Sequence, residues 1–307
     1  MKKLTTLLIL LITTKLMLAE TTPPAYYTFI SKADSLYKAK DYKNAALAYS
    51  SAFKTFAWKG YLPDRYHAAC AWAQANTPDS AFDCLNRIVK KRYFSSVDSL
   101  INKKDFASIH SDKRWQPLID LQKMYDQHKV PEGWFIAGTP EDKDKYLIGV
   151  EKGSGQDGKN AATIKVIEKN VTSEGFGNLM QNFSPDKYIN KRVRMSGYMK
   201  SKDADWASFW FRVDQSGSSK PLAFDNMIDG KEKRPIKGTT DWKKYEIVLD
   251  VPEKATNIAF GVMLGGTGQV WFDNLKFEIV DKTVPTTGKD DKTEPTNLNF
   301  EEEPKTK

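Results

Sequence analysis

The chain has 307 residues, a formal net charge of +8 and only two cysteines, Cys70 and Cys84. That length is enough for two ordinary domains. The basic residues are spread along the sequence and not gathered in a patch, which argues against a nucleic-acid partner.

Residues 1–19 read as a signal peptide. Lys2 and Lys3 form a basic start, Leu7 to Ile12 an apolar run, and Leu18-Ala19-Glu20 a cleavage point. Lys15 interrupts the run and Met17 is large for its place, so an uncleaved anchor is the alternative. The apolar run is short for a membrane span. No Cys follows it to carry a lipid, and no later segment is apolar enough to cross a bilayer. Loss of Lys2, Lys3 and Lys15 lowers the charge from +8 to +5. The expected location is periplasmic or secreted.

Residues 26–128 have helical spacing and no strand alternation. Ala33, Leu36, Ala45, Tyr49 and Ala52 recur 36 residues on as Ala69, Trp72, Ala81, Leu85 and Ile88. Each unit splits into two helices, at Lys40-Asp41 and at Asn76-Thr77-Pro78. Asp41 and Thr77 suit N-caps, and Pro78 suits a first helical position.

This pattern, with Asp41-Tyr-Lys-Asn-Ala-Ala46 opening the second helix, resembles the tetratricopeptide repeat. The family period is about 34 residues, and three or more units normally share a core. The period here is longer and only two units are visible. The segment Asp105 to Trp115, with a helix from about Gln116 to His128, resembles the ending that closes such arrays. The resemblance implies a groove for a protein or peptide partner; the alternative is a spacer. His67, His110 and His128 stand apart from any catalytic cluster. Cys70 and Cys84 fall on the two helices of one hairpin, and the sequence leaves open whether they form a bridge.

Residues 130–280 change texture. Glycine becomes frequent and short alternating runs appear near 144–150, 160–168, 175–183, 191–200, 206–214, 221–225, 243–250, 256–264 and 269–280. No helical crossovers lie between them, so an antiparallel β-sandwich is expected. The fold class is thus multidomain α plus all-β: a short helical array, then a jelly roll.

The closing strand Gly268 to Phe277 and the strand Lys191 to Tyr198 resemble the galactose-binding-like jelly roll of carbohydrate-binding modules. The series Gly133-Trp134, Leu179-Met-Gln181, Trp206 to Asp214, Phe224 to Met227, Arg234 to Thr239 and Asp241-Trp242 is more specific. It resembles a bacterial domain carried in sequences labelled AraC-type transcriptional regulators. No segment reads as the helix-turn-helix that regulation of DNA needs.

Within 206–214 the alternation is unbroken. Ala207, Phe209, Phe211 and Val213 make a core face, whereas Trp206, Ser208, Trp210, Arg212 and Asp214 make the other. Flat indoles can stack on the C–H faces of sugars, and fixed charges can meet their hydroxyls. Candidate ligand residues are therefore Trp206, Trp210, Arg212 and Asp214, joined by Asp225, Asn226 and Arg234. The alternative covers the indoles and makes Arg212–Asp214 an internal ion pair. Trp134, Trp242 and Trp271 read as core aromatics.

No nucleophile elbow, phosphate loop or Cys-x-x-Cys is present, so a non-catalytic protein is expected. Asp214 with Asp225 is the pair to examine for glycoside hydrolysis. No cofactor is expected. Asp157 and Asp273 are the weak candidates for a structural calcium. Residues 281–307 are rich in Thr, Pro, Lys and Glu and are expected to be a mostly disordered tail, except that Asn297-Leu-Asn-Phe-Glu301 resembles the opening strand of such jelly rolls and is a candidate edge strand. The expected function is an exported binder, with the repeats holding a protein and the sandwich a carbohydrate or similar polar ligand. The alternative is an assembly protein of the cell envelope that makes only protein contacts.

Overall fold

The structure, a computed structural model, describes residues 21–138, 142–168, 171, 175–229 and 232–288. The expected signal peptide and the expected strand at 297–301 lie outside the described residues. The chain divides into two compact units: residues up to Val89 with Ser99–Leu118, and Lys90–Asp98 with the chain from Ile119 on.

The first unit is helical: α1 (Pro24–Lys38), α2 (Tyr42–Thr55), α3 (Leu62–Gln74) and α4 (Pro78–Lys90). After α5 (Val97–Ile101) and a 3-10 segment at Lys104–Ile109 comes α6 (Trp115–Gln127), which begins in this unit. The internal echo is structural as well as sequential. After α1, Lys40 turns left-handed (φ 62°) and Asp41 N–H reaches back to Leu36 O at 3.0 Å. After α3, Asn76 turns left-handed (φ 53°) and Thr77 N–H reaches Trp72 O at 2.9 Å. Both are the helix-ending closure that satisfies the last carbonyls. Asp41 then caps α2 through Asn44 N–H. Ala33, Ala45, Tyr49, Ala52, Ala69, Ala81, Leu85 and Ile88 are buried, with Leu36 and Trp72 half-buried. Cys70 and Cys84 are free buried thiols and form no bridge. Burial pushes them up to about 12 and about 11, respectively.

The second unit is a sandwich with a short helical flank. Arg92, left-handed at φ 55°, stacks over Tyr125 at 4.4 Å and donates to His128 O at 3.1 Å and Ile148 O at 2.7 Å. Lys90–Glu168 and Lys91–Asp144 ion pairs add to the attachment.

The strands are β1 (Phe135–Gly138), β2 (Tyr146–Lys152), β3 (Asn160–Val166), β4 (Phe176–Phe183), β5 (Lys191–Asp214), β6 (Ala223–Asp225), β7 (Ile236–Val251), β8 (Asn257–Gly265) and β9 (Gln269–Val280). Their pairings are antiparallel. β1 has no counterpart among the expected strands, because four residues, Phe-Ile-Ala-Gly, show no alternation. β5 is one bent strand of 24 residues where two were expected. Its register with β7 slips between Met199 and Ala207, and Asp203 is left-handed at φ 50°. Bulges of this sort bend a strand. The bend lets β5 serve both layers. Its second half lies in the first layer, in the order β1-β4-β8-β5-β6. Its first half lies in the second layer, in the order β7-β5-β9-β3-β2.

Between the layers lie Phe209, Phe211 and Val213 from the second half of β5, Val193, Met195 and Met199 from the first, and Phe260, Val262, Leu249 and Phe272. Each large apolar side chain buried here contributes about 1.5–3 kcal/mol. Trp134 packs edge-on against Phe260 with ring centres 5.2 Å apart.

Candidate functional site

Residues directly opposite in an antiparallel pair share a face. The register therefore builds the outer surface of the first layer row by row. Trp206 lies opposite Gly265, which lies opposite Phe176. Ser208, Met263, Asn178 and Ala137 form the next row. Trp210, Gly261, Met180 and Phe135 form the third, and Arg212 lies between Ala259 and Phe224 below it.

The two glycines of β8 are the reason the indoles lie down. A Cβ at Gly265 would overlap the ring of Trp206. A Cβ at Gly261 would lie 2.8 Å from Trp210 Nε1 and 2.5 Å from Leu179 O. Trp210 lies across Gly261, and its Nε1 donates to Asn178 Oδ1 on β4 at 2.9 Å. It is 7% exposed, so it is floor more than face. Trp206 is half-buried and tilts toward Phe176 with ring centres 6.4 Å apart. Ser208 between them is fully buried, and its Oγ has no partner among the described residues.

Arg212 and Asp214 sit at the open end of the row. Arg212 Nε donates to Asp214 Oδ1 at 2.6 Å, and the two side chains are 37% and 19% exposed. The pair keeps solvent contact while each partner is fixed. Trp206, Trp210, Arg212 and Asp214 are thus brought together on one face, with Phe135, 43% exposed, at its far edge.

Asp225, Asn226 and Arg234 do not join that row. Asp225 lies opposite Phe211, so its side chain points to the core side of the sheet. There it accepts from Arg234 Nη2 at 2.6 Å and from Met227 N–H at 2.7 Å. Asn226 folds its own turn, accepting from Ile228 N–H at 3.0 Å and Asp229 N–H at 2.7 Å. These three fasten the segment after β6. The same register separates Asp214 from Asp225: the two carboxylates lie on opposite sides of the sheet and cannot flank one glycosidic bond.

The expected calcium ligands hold a turn together. Asp273 Oδ2 accepts from Gln156 N–H at 3.1 Å, and Asp157 Oδ1 accepts from Lys159 N–H at 3.0 Å. That second bond holds the Asp157 carboxyl below its ordinary range. Among the described residues no group of three His, Cys, Asp or Glu side chains is gathered that could hold a metal ion.

Two of the tryptophans expected in the core are elsewhere. Trp271 alternates with Val270 and Phe272, which point inward, so it points outward from the second layer. Trp242 is likewise half-buried on that outer face. The sequence reading also missed Phe176, Asn178, Met180 and the glycines of β8. The alternation Phe176, Asn178, Met180, Asn182 was the available signal, but only the register shows which face it completes.

No protein-family model matches the chain. It is 40% identical over 187 residues to a Bacillus subtilis (strain 168) protein named as an uncharacterized HTH-type transcriptional regulator, YbfP. The match covers 59% of this chain and 60% of that relative, so the chain spans less than two thirds of its length. Among solved structures, TmCBM61 in complex with β-1,4-galactotriose is similar at a TM-score of 0.33 and 13% identity, over 51% of this chain and 94% of that one. The CBM22-1 xylan-binding domain of Paenibacillus barcinonensis Xyn10C is similar at 0.35 and 13%, over 50% and 90%. At these scores nothing about a ligand passes from those proteins to this chain.

Proposed function

We propose that this protein is a non-catalytic binder whose sandwich takes a carbohydrate or similar polar ligand on the outer face of its first layer. One observation carries the reading: Trp206, Arg212 and Asp214 share that face and all keep solvent access, while Trp210 is pinned beneath as floor. An indole face for C–H stacking then lies in line with a fixed guanidinium and carboxylate for hydroxyls. Asp225, Asn226 and Arg234 hold the flanking segment in place and touch no ligand.

The test is a glycan array probed with wild type and with Trp206→Ala, the two proteins first matched for melting temperature. Glycans retained by wild type and lost by Trp206→Ala support the reading. Equal binding by both sinks it.

The helical unit supports a second activity, a protein contact. Tyr27, Leu47, Trp58 and Tyr61 are all exposed there, Trp58 at 61%. A cleft of about 390 Å³ opens beside Trp58, lined also by Phe53, Arg65, Trp72 and Cys84. Of the four exposed side chains Trp58 lines the cleft, and exposed apolar surface is a usual mark of a docking surface. This is also what favours the alternative of an assembly protein: failure of the array together with capture of a partner by the helical unit alone would select it. Export to the periplasm or medium is part of the proposal and rests on residues 1–19. Among the described residues no helix is long and apolar enough to cross a membrane. N-terminal sequencing of the protein recovered from cells tests export, with Glu20 expected as the first residue.

A further inference from the structure

The outer face of the second layer carries an arrangement that the first face lacks. Lys200 on β5 lies opposite Trp271 on β9, and Trp242 on β7 flanks it from the other side. The Lys200 ammonium stands 4.9 Å from the ring centre of Trp271 and 5.0 Å from that of Trp242. Both distances are within cation–π range. One ammonium hydrogen goes to Ser154 O at 3.2 Å. No carboxylate lies within ion-pairing distance of Lys200 among the described residues.

The neighbouring acids are committed elsewhere. Glu151 accepts from Gln269 Nε2 at 3.1 Å and lies 3.8 Å from His128 Nε2. Asp273 accepts the backbone N–H groups of Gln156 and Asn274 at 3.1 and 2.7 Å. By contrast, Arg192 and Arg194 on the same face are paired with Asp250 and Glu246 at 2.8 and 3.3 Å. The indole N–H of Trp271 is buried and has no acceptor among the described residues.

The turn at 153–158 forms a wall beside this group. Gly155 fits only because it has no side chain: a Cβ there would lie 2.7 Å from Asn160 O and 3.1 Å from Asp273 Oδ2. Asn274 Nδ2 donates to Gln156 Oε1 at 3.3 Å, so the wall is tied to β9.

We propose that Trp242, Lys200 and Trp271 form a second ligand site, specific for an anionic sugar unit bearing a carboxylate. The indoles take the C–H faces of the sugar. The ammonium, held half-desolvated between them without a counter-charge, takes the carboxylate in a charge-assisted hydrogen bond. The site is independent of the first face: it uses none of that face's residues and stands if the reading of the first face fails.

The test is calorimetric titration of the full chain with oligogalacturonate, with its methyl ester, and with polyglutamate as a polyanion that is not a sugar. The same titrations follow with Lys200→Met, which keeps the apolar stem, and with Trp242→Ala. Wild type is expected to bind the acid at least about tenfold more tightly than the ester, the effect of one charge-assisted contact. Lys200→Met should erase that difference, and Trp242→Ala should weaken both sugars. Should Lys200→Met fail to fold, the acid–ester ratio of wild type and its decline with salt decide alone. Equal binding of acid and ester, undiminished binding by Lys200→Met, or polyglutamate binding as tight as the sugar acid would each overturn the proposal. Trp206→Ala reports on the first face and Lys200→Met on the second, so the two readings fail separately.

Discussion

The two outer faces of the sandwich use the same side chain in different ways. On the first, Trp210 lies flat over Gly261 and its indole N–H is satisfied by Asn178. On the second, Trp242 and Trp271 flank Lys200, and the N–H of Trp271 has no acceptor among the described residues. The first arrangement is a packed surface with fixed polar partners at one end. The second keeps the Lys200 ammonium without a counter-charge among the described residues. A tryptophan count therefore says little about a sheet face; the neighbouring strand decides whether an indole is floor or wall.

The largest effect should come from the glycines. In Gly261→Ala the new methyl meets Leu179 O and the Cβ of Met180, at 2.5 and 2.9 Å, and backbone cannot step aside. Overpacking of this kind costs about 1–3 kcal/mol, and the upper end is expected here. In Gly265→Ala the atoms nearest the new methyl all belong to the ring of Trp206, a half-buried side chain and not backbone, so its cost should be nearer about 1 kcal/mol. Urea unfolding of the two variants measures this. Equal destabilisation would mean that Trp206 is held as rigidly as Trp210, and the distinction between floor and ligand face would fall.

The next effect separates the two indole N–H groups. Asn178→Leu leaves Trp210 Nε1 buried without its acceptor, which costs about 1–3 kcal/mol. Trp271→Phe removes an N–H that has no acceptor among the described residues. It should cost less than about 1 kcal/mol beyond the loss of ring area, or nothing, because no hydrogen bond is broken. A large loss in Trp271→Phe, with the helical unit's own transition unchanged, would show that this nitrogen is bonded in solution and would remove the contrast between the two indoles.

The sequence showed the elements better than their neighbours. The alternation from Trp206 to Asp214 placed Ala207, Phe209, Phe211 and Val213 in the core, where they are fully buried. The echo between 33–52 and 69–88 announced two similar helical units, and the structure repeats even their closing hydrogen bonds. What stayed hidden depends on pairing between distant segments. Trp210 is covered because Gly261 and Asn178 lie beside it, and neither is near it in sequence. Asp225 follows Phe224 directly, yet one residue of register sends it to the opposite side of the sheet. The expectation that Trp271 is core fails on strand alternation, once Val270 and Phe272 are known to form the strand's inner face.

The smallest effect concerns the rim of the second face and its dependence on pH. Arg192 grips Asp250 with two hydrogen bonds, Nε to Oδ1 at 2.9 Å and Nη2 to Oδ2 at 2.8 Å. It also donates to Lys282 O and Val284 O, both at 2.6 Å, and so ties the chain after β9 to this face. The guanidinium holds the Asp250 carboxyl below the ordinary carboxylate range. A carboxylate lowered on folding stabilises the native state above its unfolded value, about 3.9 for aspartate. That stabilisation fades as pH falls through the folded value. Asp250 is about half exposed, so solvent screening should keep the contribution below about 1 kcal/mol. The free-energy gap between wild type and Asp250→Asn should therefore be constant from neutral pH down to about 5 and close progressively below it. Urea titrations of both proteins from neutral pH to pH 2 measure the gap, and a gap that persists unchanged at the acid end would show that Arg192 acts through the carbonyls of Lys282 and Val284 and not through the charge of Asp250.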